Sequence, residues 1–96
     1  MQIIFEVMDK TRRNIRLTGK QWSHIRMDHP EVEDEEVIKD AIKNPDKITQ
    51  PYEGTKHYYY KYFKHRKSSD KYLMVIVNYL NGEGFIITAY YVSHIR

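Results

Sequence analysis

The chain contains no cysteine and no long apolar segment, and both absences narrow the class of protein it belongs to. Without thiols, it has neither a disulfide framework nor a thiolate zinc site. No apolar run approaches the roughly 20 residues of a membrane-spanning helix, so we expect no membrane contact. The first ten residues, MQIIFEVMDK, carry too short an apolar stretch and acids too early for a signal peptide. Together these features favour a cytoplasmic protein.

The length and composition predict one small domain covering residues 1–96. The chain has 96 residues, of which 41% are hydrophobic and 30% charged, as in an ordinary folded protein. It contains no repeat, low-complexity tract or interdomain linker.

The charges are unevenly distributed, although the net charge is only +3. Acids concentrate in residues 28–40, whereas bases concentrate in residues 10–26 and 56–71. Such a division is typical of a protein that presents a basic face to a polyanion. A solvated surface whose signs happen to cluster explains the pattern equally well.

The first half of the chain predicts a strand at residues 3–9, a polar turn with a short second strand, and two helices. Thr18 is a suitable N-cap for the first helix, and Pro30 should end it near Asp28. The second helix spans VEDEEVIKDAIKN, with acids at its start, and Asn44 is expected to close it in a left-handed conformation.

The second half predicts strands, the last two joined by the glycine-bearing loop NGEG. The fold class is therefore α+β, with two N-terminal helices packed on one face of a twisted antiparallel sheet of about four strands. Alternation puts one aliphatic set under the helices and leaves Thr88 and Tyr90 on the open face, while the opposite assignment of the two faces stays open because the sequence does not give the strand register. The predicted core residues are Trp22, Ile25, Ile38, Ile42, Leu73, Val75, Val77, Phe85, Ile87 and Ala89.

Two histidines stand in the stretch QWSHIRMDHPE, residues 21–31. They are five positions apart and diverge by about 140° on a helix, so a shared metal ion is not expected. His24 shares a helical face with Asp28, whose carboxylate can orient the imidazole for acid–base work or form only a weak surface pair. His29 should leave the helix before Pro30 and fold onto Trp22.

The segment YYYKYFKHRK alternates aromatic and basic residues. Nucleobase stacking and phosphate attraction use such a pattern, with Tyr60, Lys64 and Arg66 as the binding candidates. Tyrosine is also a good strand former, so a purely structural strand is an equal alternative. An exposed Tyr-rich edge strand could in addition pair with a second copy in a homodimer.

Three further motifs, taken in order, resemble a known group. The stretch WSHIRMDHPE, then NPD at residues 44–46, then TAY at residues 88–90 resemble the phage-associated nuclease-like family of the barnase, EndoU, colicin-tRNase and RelE superfamily, a stand-alone prokaryotic domain. The resemblance covers about Thr18 to Val92. It implies an α+β fold and RNA cleavage that needs no metal or other cofactor.

In the chemistry that the resemblance implies, the ribose 2′-hydroxyl attacks the neighbouring phosphorus, with one group as base and another as acid. Carried onto this chain, His24 and His29 become acid–base candidates, and Thr88 and Tyr90 orient the phosphate. Arg26 or Lys61 offsets the developing charge. We expect a ribonuclease, toxin-like or mobile-element-associated, that acts on RNA such as tRNA, and a neutralising protein is a candidate partner. The alternative is a non-catalytic RNA-binding or dimer-forming adaptor module.

Overall fold

The computed structural model describes residues 2–96, so Met1 of the predicted domain lies outside it. Within these residues the chain forms six strands and two α-helices, with one 3₁₀ turn at Ser68–Asp70. In chain order the elements are β1 (Ile3–Met8), β2 (Asn14–Thr18), α1 (Gly19–Asp28), α2 (Glu35–Lys43), β3 (Lys47–Thr49), β4 (Lys56–Tyr62), β5 (Tyr72–Leu80) and β6 (Glu83–Val92).

The strands form one mixed sheet in the order β1-β2-β6-β5-β4-β3. Strand β2 pairs in parallel with β6, whereas the other neighbours are antiparallel. The α+β class is confirmed, but the predicted antiparallel sheet of about four strands is wrong. The β1–β2 hairpin precedes the helices and joins the far side of the sheet through β6. Local alternation does not encode this pairing, because the two strands lie far apart in the chain.

The first helix begins and ends where the sequence predicts. The Thr18 side chain caps it by accepting a hydrogen bond from the Gln21 N–H at 3.2 Å, and the helix ends at Asp28. For α2 the N-cap is Asp34, whose side chain accepts from the Glu36 N–H at 2.9 Å.

The predicted left-handed cap at Asn44 is wrong. Asn44 follows α2 with φ −132° and ψ 57°, on the negative-φ side. Pro45 comes next, and a proline crowds the preceding residue toward extended dihedrals. The closing interaction comes instead from the Asn44 N–H, which donates to the Asp40 carbonyl at 2.8 Å.

The helices cover one face of the sheet, and the apolar residues between them form the helix-side core. Most of its predicted members are confirmed. On the helices Ile25, Ile38 and Ile42 are buried, and Trp22 packs against them half-buried. On β5 the aliphatic set is fully buried: Leu73, Val75 and Val77.

In β6 the predicted alternation fails halfway along the strand. Ala89 is buried as predicted, but Ile86 is the other core residue, at 2% exposure, while Phe85 and Ile87 are only half-buried. The register of β6 against β5 shifts here, since Ile76 pairs with Thr88 and Val77 pairs with Ile86. Ile87 is therefore the extra residue of a β-bulge, which reverses which face the preceding side chains occupy.

The opposite face of the sheet carries a second apolar group, the outer cluster. Its buried members are Tyr58, Tyr60 and Met74, and Ile95 from the C-terminal segment packs against them. The Arg96 N–H donates to the Tyr60 hydroxyl at 3.2 Å. This face is therefore partly covered rather than open along its whole length.

Neither helix in residues 2–96 is long and apolar enough to span a lipid bilayer.

Candidate functional site

Helix α1 lies beside β6 where the β-bulge interrupts the strand. The Gln21 side-chain amide donates to the Ile87 carbonyl at 2.8 Å, which satisfies a backbone acceptor of the bulge. Strand β2 pairs only with residues 83–85 of β6, so α1 takes its place along the following residues. This contact fixes the first turn of α1 against β6, one residue before Thr88.

His29 stacks on Tyr90. Their ring centroids are 4.6 Å apart with an interplanar angle of 20°. His29 lies at the C-cap of α1 and is half-buried, and its Nδ1 is 3.7 Å from the Glu31 carboxylate. The predicted contact between His29 and Trp22 is not the one formed, because the chain turns toward Tyr90 instead.

Thr88 and Tyr90 point away from the helices, as predicted. Their cross-strand partners on β5 are Ile76 and Met74. Thr88 and Tyr90 are both half-buried, and Tyr90 packs against the outer cluster. We call His29, Thr88 and Tyr90 the edge site.

Within residues 2–96, no ion pair or ring contact joins His24 to this site. His24 is three residues after Gln21, which places it about 60° around α1 from the bulge contact, and Trp22 and Ile25 lie on the other side of that contact. It is exposed, and no ion pair within residues 2–96 includes it or Lys20, one turn earlier on the same side. The structure therefore brings His29 and Tyr90 into contact, with Thr88 on the same face as Tyr90, but it does not bring His24 to them.

Arg26 and Lys61, which the sequence predicts to offset charge at the phosphate, both donate hydrogen bonds to backbone carbonyls. The Arg26 guanidinium donates to the carbonyls of Pro30 and Val32, at 2.6 and 2.8 Å, and fixes the turn after α1. The Lys61 ammonium donates to the Asn44 carbonyl at 2.9 Å, at the end of α2. Each cation satisfies backbone acceptors near a helix terminus, which is a structural role.

The Tyr-rich segment is not an exposed edge strand. Strand β4 lies between β3 and β5, and Tyr60 is fully buried, so its ring cannot stack on a base. Arg66 lies 3.5 Å from the Tyr91 ring centroid and near Asp70, whereas Lys64 is exposed. The β4–β5 loop is thus basic but separate from the aromatic strand.

A polar cluster that the sequence reasoning missed lies at the other end of β6. The Asp9 carboxylate is only 4% exposed and accepts hydrogen bonds from the Tyr59 hydroxyl, from the Thr11 hydroxyl and N–H, and from the Arg13 N–H. Tyr59 is also hydrogen-bonded to the Tyr79 hydroxyl. Because Tyr59 gives its only proton to the carboxylate, Tyr79 must donate to Tyr59.

The pKa values of this cluster follow from burial and hydrogen bonding. Burial by itself raises the pKa of Asp9, but the bonds from Tyr59, Thr11 and Arg13 outweigh it and hold that pKa below its ordinary value. Burial and the bond that Tyr59 donates to Asp9 raise the pKa of Tyr59. Asp9 is therefore ionised and Tyr59 protonated at neutral pH.

Arg13 and His57 form the rim of the cluster. The Arg13 guanidinium is 4.5 Å from the Tyr79 ring centroid, and the His57 ring packs edge-on against the same ring at 4.7 Å. Burial, and then the Arg13 charge, lower the pKa of His57 against the opposing effect of Asp9. The sequence signal was the aspartate followed by Thr11, a spacing typical of a side chain that caps its own turn.

In the part of the chain that the structure describes, no group of three or more histidine, aspartate or glutamate residues is arranged to hold a metal ion. Comparisons with protein-family models, with curated proteins and with solved structures found no match to this chain.

Proposed function

We propose that the chain is a small metal-independent endoribonuclease that cleaves RNA such as tRNA at the edge site. The observation that carries the proposal is the His29–Tyr90 stack, with Thr88 two residues away on the same face. The stack joins an imidazole to a tyrosine on the part of β6 that β2 does not pair with, where all three residues are half-buried.

The reaction needs a proton acceptor and a proton donor. An imidazole removes the proton of the ribose 2′-hydroxyl, the 2′-oxygen bonds to phosphorus, and the bond to the 5′-oxygen breaks. A second group protonates the leaving 5′-oxygen. We assign these two roles to His29 and His24, and we assign to Thr88 and Tyr90 the donation of hydrogen bonds to the phosphate oxygens.

The positive charge at the phosphate is assigned to Lys20 instead of Arg26 or Lys61, which are occupied by backbone carbonyls. Lys20 is exposed on the His24 side of α1. An ammonium there offsets charge that develops on the phosphate during attack.

The test is incubation of the purified protein with total tRNA in EDTA. We expect products ending in a 2′,3′-cyclic phosphate, since the 2′-oxygen is the nucleophile. His29→Gln should reduce the rate by about 100-fold or more, and Tyr90→Phe tests whether the hydroxyl contributes beyond the ring stack. His65→Gln, in the exposed β4–β5 loop, is the matched control and should cleave normally.

Two results would refute the proposal: no cleavage of any RNA, or cleavage that is unaffected by both His24→Gln and His29→Gln. Activity that EDTA abolishes would refute its metal independence.

A second candidate function is a dimer-forming adaptor, favoured by the outer edge strand. Strand β1 ends the sheet and exposes two apolar side chains, Ile3 at 45% and Met8 at 58%. Light scattering that gives a stable dimer, together with no RNA affinity, would support this function over the first.

A further inference from the structure

The turn between β1 and β2 presents three cations at its surface. We call Lys10, Thr11, Arg12 and Arg13 the hairpin tip. All four are exposed, and no ion pair within residues 2–96 includes any of its cations. The turn is closed by backbone bonds from the Asp9 N–H to the Arg13 carbonyl at 2.9 Å and from the Arg12 N–H to the Asp9 carbonyl at 3.0 Å.

Only one carboxylate within residues 2–96 bonds to the tip, and its charge offsets part of the positive charge. Asp9 is buried, and its two oxygens accept bonds from Tyr59, Thr11 and the Arg13 backbone. Glu6 and Glu83 both bind Arg16, at 2.8 and 3.0 Å. Ionised Asp9 offsets one of the three positive charges of Lys10, Arg12 and Arg13, so the tip keeps a net positive charge.

Arg12 has a backbone conformation that arginine does not favour. Its φ is 68°, in the left-handed region, where glycine and asparagine are the common residues. The matching position of the β5–β6 turn is filled in the ordinary way, by Asn81 at φ 54° and Gly82 at φ 81°. A strained arginine at a turn tip indicates that its side chain has a role, since glycine would fold more easily there.

The side chain of Arg13, in the hairpin tip, lies next to His57 of β4. Arg13 is held against the Tyr79 ring, and His57 packs on the same ring, so these two nitrogen-bearing side chains lie beside each other. A guanidinium held in place loses less conformational freedom when it binds an oxyanion than a mobile one does.

We propose that the hairpin tip, together with His57, is a second contact site for the RNA backbone and binds its phosphate groups. Arg13 of the hairpin tip packs on the Tyr79 ring, and Tyr79 lies against Gly84 of β6. Gly84 precedes Tyr90 by six residues along β6. Six strand residues span about 20 Å, and the two sites lie on opposite faces of the sheet, because Tyr79 packs in the helix-side core and Tyr90 packs against the outer cluster. An RNA molecule that contacts both sites therefore passes around the margin of the sheet and presents different nucleotides to each. This inference rests on the RNA binding of the proposed function, and not on cleavage.

The experiment measures binding of a fluorescent 2′-O-methylated RNA stem-loop, which cannot be cleaved because its 2′-oxygen is blocked. Arg12→Gly should weaken binding several-fold and lower the slope of log affinity against log salt by about 1. The same substitution relieves the strained φ, so its unfolding temperature should be equal to that of the wild type or higher. The double variant Arg12→Gly with Arg13→Gln should lower the affinity and the slope further.

Asn81→Gly is the matched control, because it relieves a left-handed residue in the other turn without removing charge. It should bind the stem-loop like the wild type. Hairpin variants with wild-type affinity and salt slope would overturn the inference, whether or not RNA is cut. RNA that is bound but never cut would overturn only the proposed cleavage, and absence of binding by the wild type would overturn both.

Discussion

At the scale of single residues, Asp9 shows how a buried charge is accommodated in this chain. Its carboxylate lies below the surface, and every acceptor direction faces a donor from Thr11, Arg13 or Tyr59. A carboxylate so bonded stabilises the fold, whereas the same group without partners would destabilise it.

Removing one donor should therefore be costly. We expect Tyr59→Phe to lower the free energy of unfolding by about 1.5–3 kcal/mol, because Asp9 loses a donor and Tyr79 loses its acceptor. Urea unfolding followed by circular dichroism measures the change. Tyr62→Phe removes the hydroxyl of an exposed tyrosine in the same strand and should change stability little. Equal losses in the two variants would contradict the assignment.

The imidazole of His57 should make stability depend on pH. Its pKa is lower in the folded protein than its ordinary 6.5, so the unfolded chain binds the proton more readily. The stabilisation is complete above about pH 6.5 and is lost as pH falls through the folded value. Unfolding free energies at about pH 7.5 and about pH 5.5 should differ less in His57→Gln than in the wild type. His65→Gln should keep the wild-type difference, and a His57→Gln variant that also keeps it would argue against this prediction.

At the scale of elements, β6 carries most of the organisation of the molecule. It pairs in parallel with β2 and antiparallel with β5. At its bulge, the Ile87 carbonyl accepts a hydrogen bond from the Gln21 side chain of α1. The bulge also explains why Ile86 rather than Ile87 is in the core, since one inserted residue exchanges the two faces.

At Gly84, β6 packs closely against side chains of β2 and β5. A Cβ there would lie 2.8 Å from Ile15, 2.9 Å from Val77 and 3.0 Å from Tyr79. We expect Gly84→Ala to lower the free energy of unfolding by about 1–3 kcal/mol, because three packed side chains must move.

Chemical denaturation measures the effect of Gly84→Ala, and Gly19→Ala is its control. At Gly19 the nearest atom to a new Cβ is the end of the Gln2 side chain, at 3.2 Å, and alanine favours the helix that starts there. Gly19→Ala should be as stable as the wild type or more stable. A Gly84→Ala variant that matches it would show that the packing adapts.

At the scale of the whole molecule, the sheet buries apolar residues on both faces, although helices cover only one. The outer cluster is covered by the C-terminal segment, in which Ile95 packs against Tyr60 and Met74. The C-terminal segment therefore covers part of the face on which Thr88 and Tyr90 lie.

Ile95→Ala should test this cover. We expect a loss of about 1–2 kcal/mol in unfolding free energy, because a half-buried aliphatic side chain is truncated. Ile3→Ala, on the exposed edge strand, should cost less. Thermal unfolding of both variants distinguishes a sealed outer cluster from a loosely attached segment, for which the two losses would be equal.

The sequence by itself determined features that depend on neighbouring residues. Thr18 and Pro30 set the limits of α1, and the alternation of β5 placed Leu73, Val75 and Val77 in the core, because caps, proline sterics and strand alternation act over a few residues.

Only the tertiary structure decided what joins distant segments: the parallel β2–β6 pairing, the bulge at Ile87, the His29–Tyr90 stack, and the bond from Tyr59 to Asp9, 50 residues away. These contacts join residues far apart in the chain and form only in the assembled sheet. No short segment of the sequence therefore predicts them.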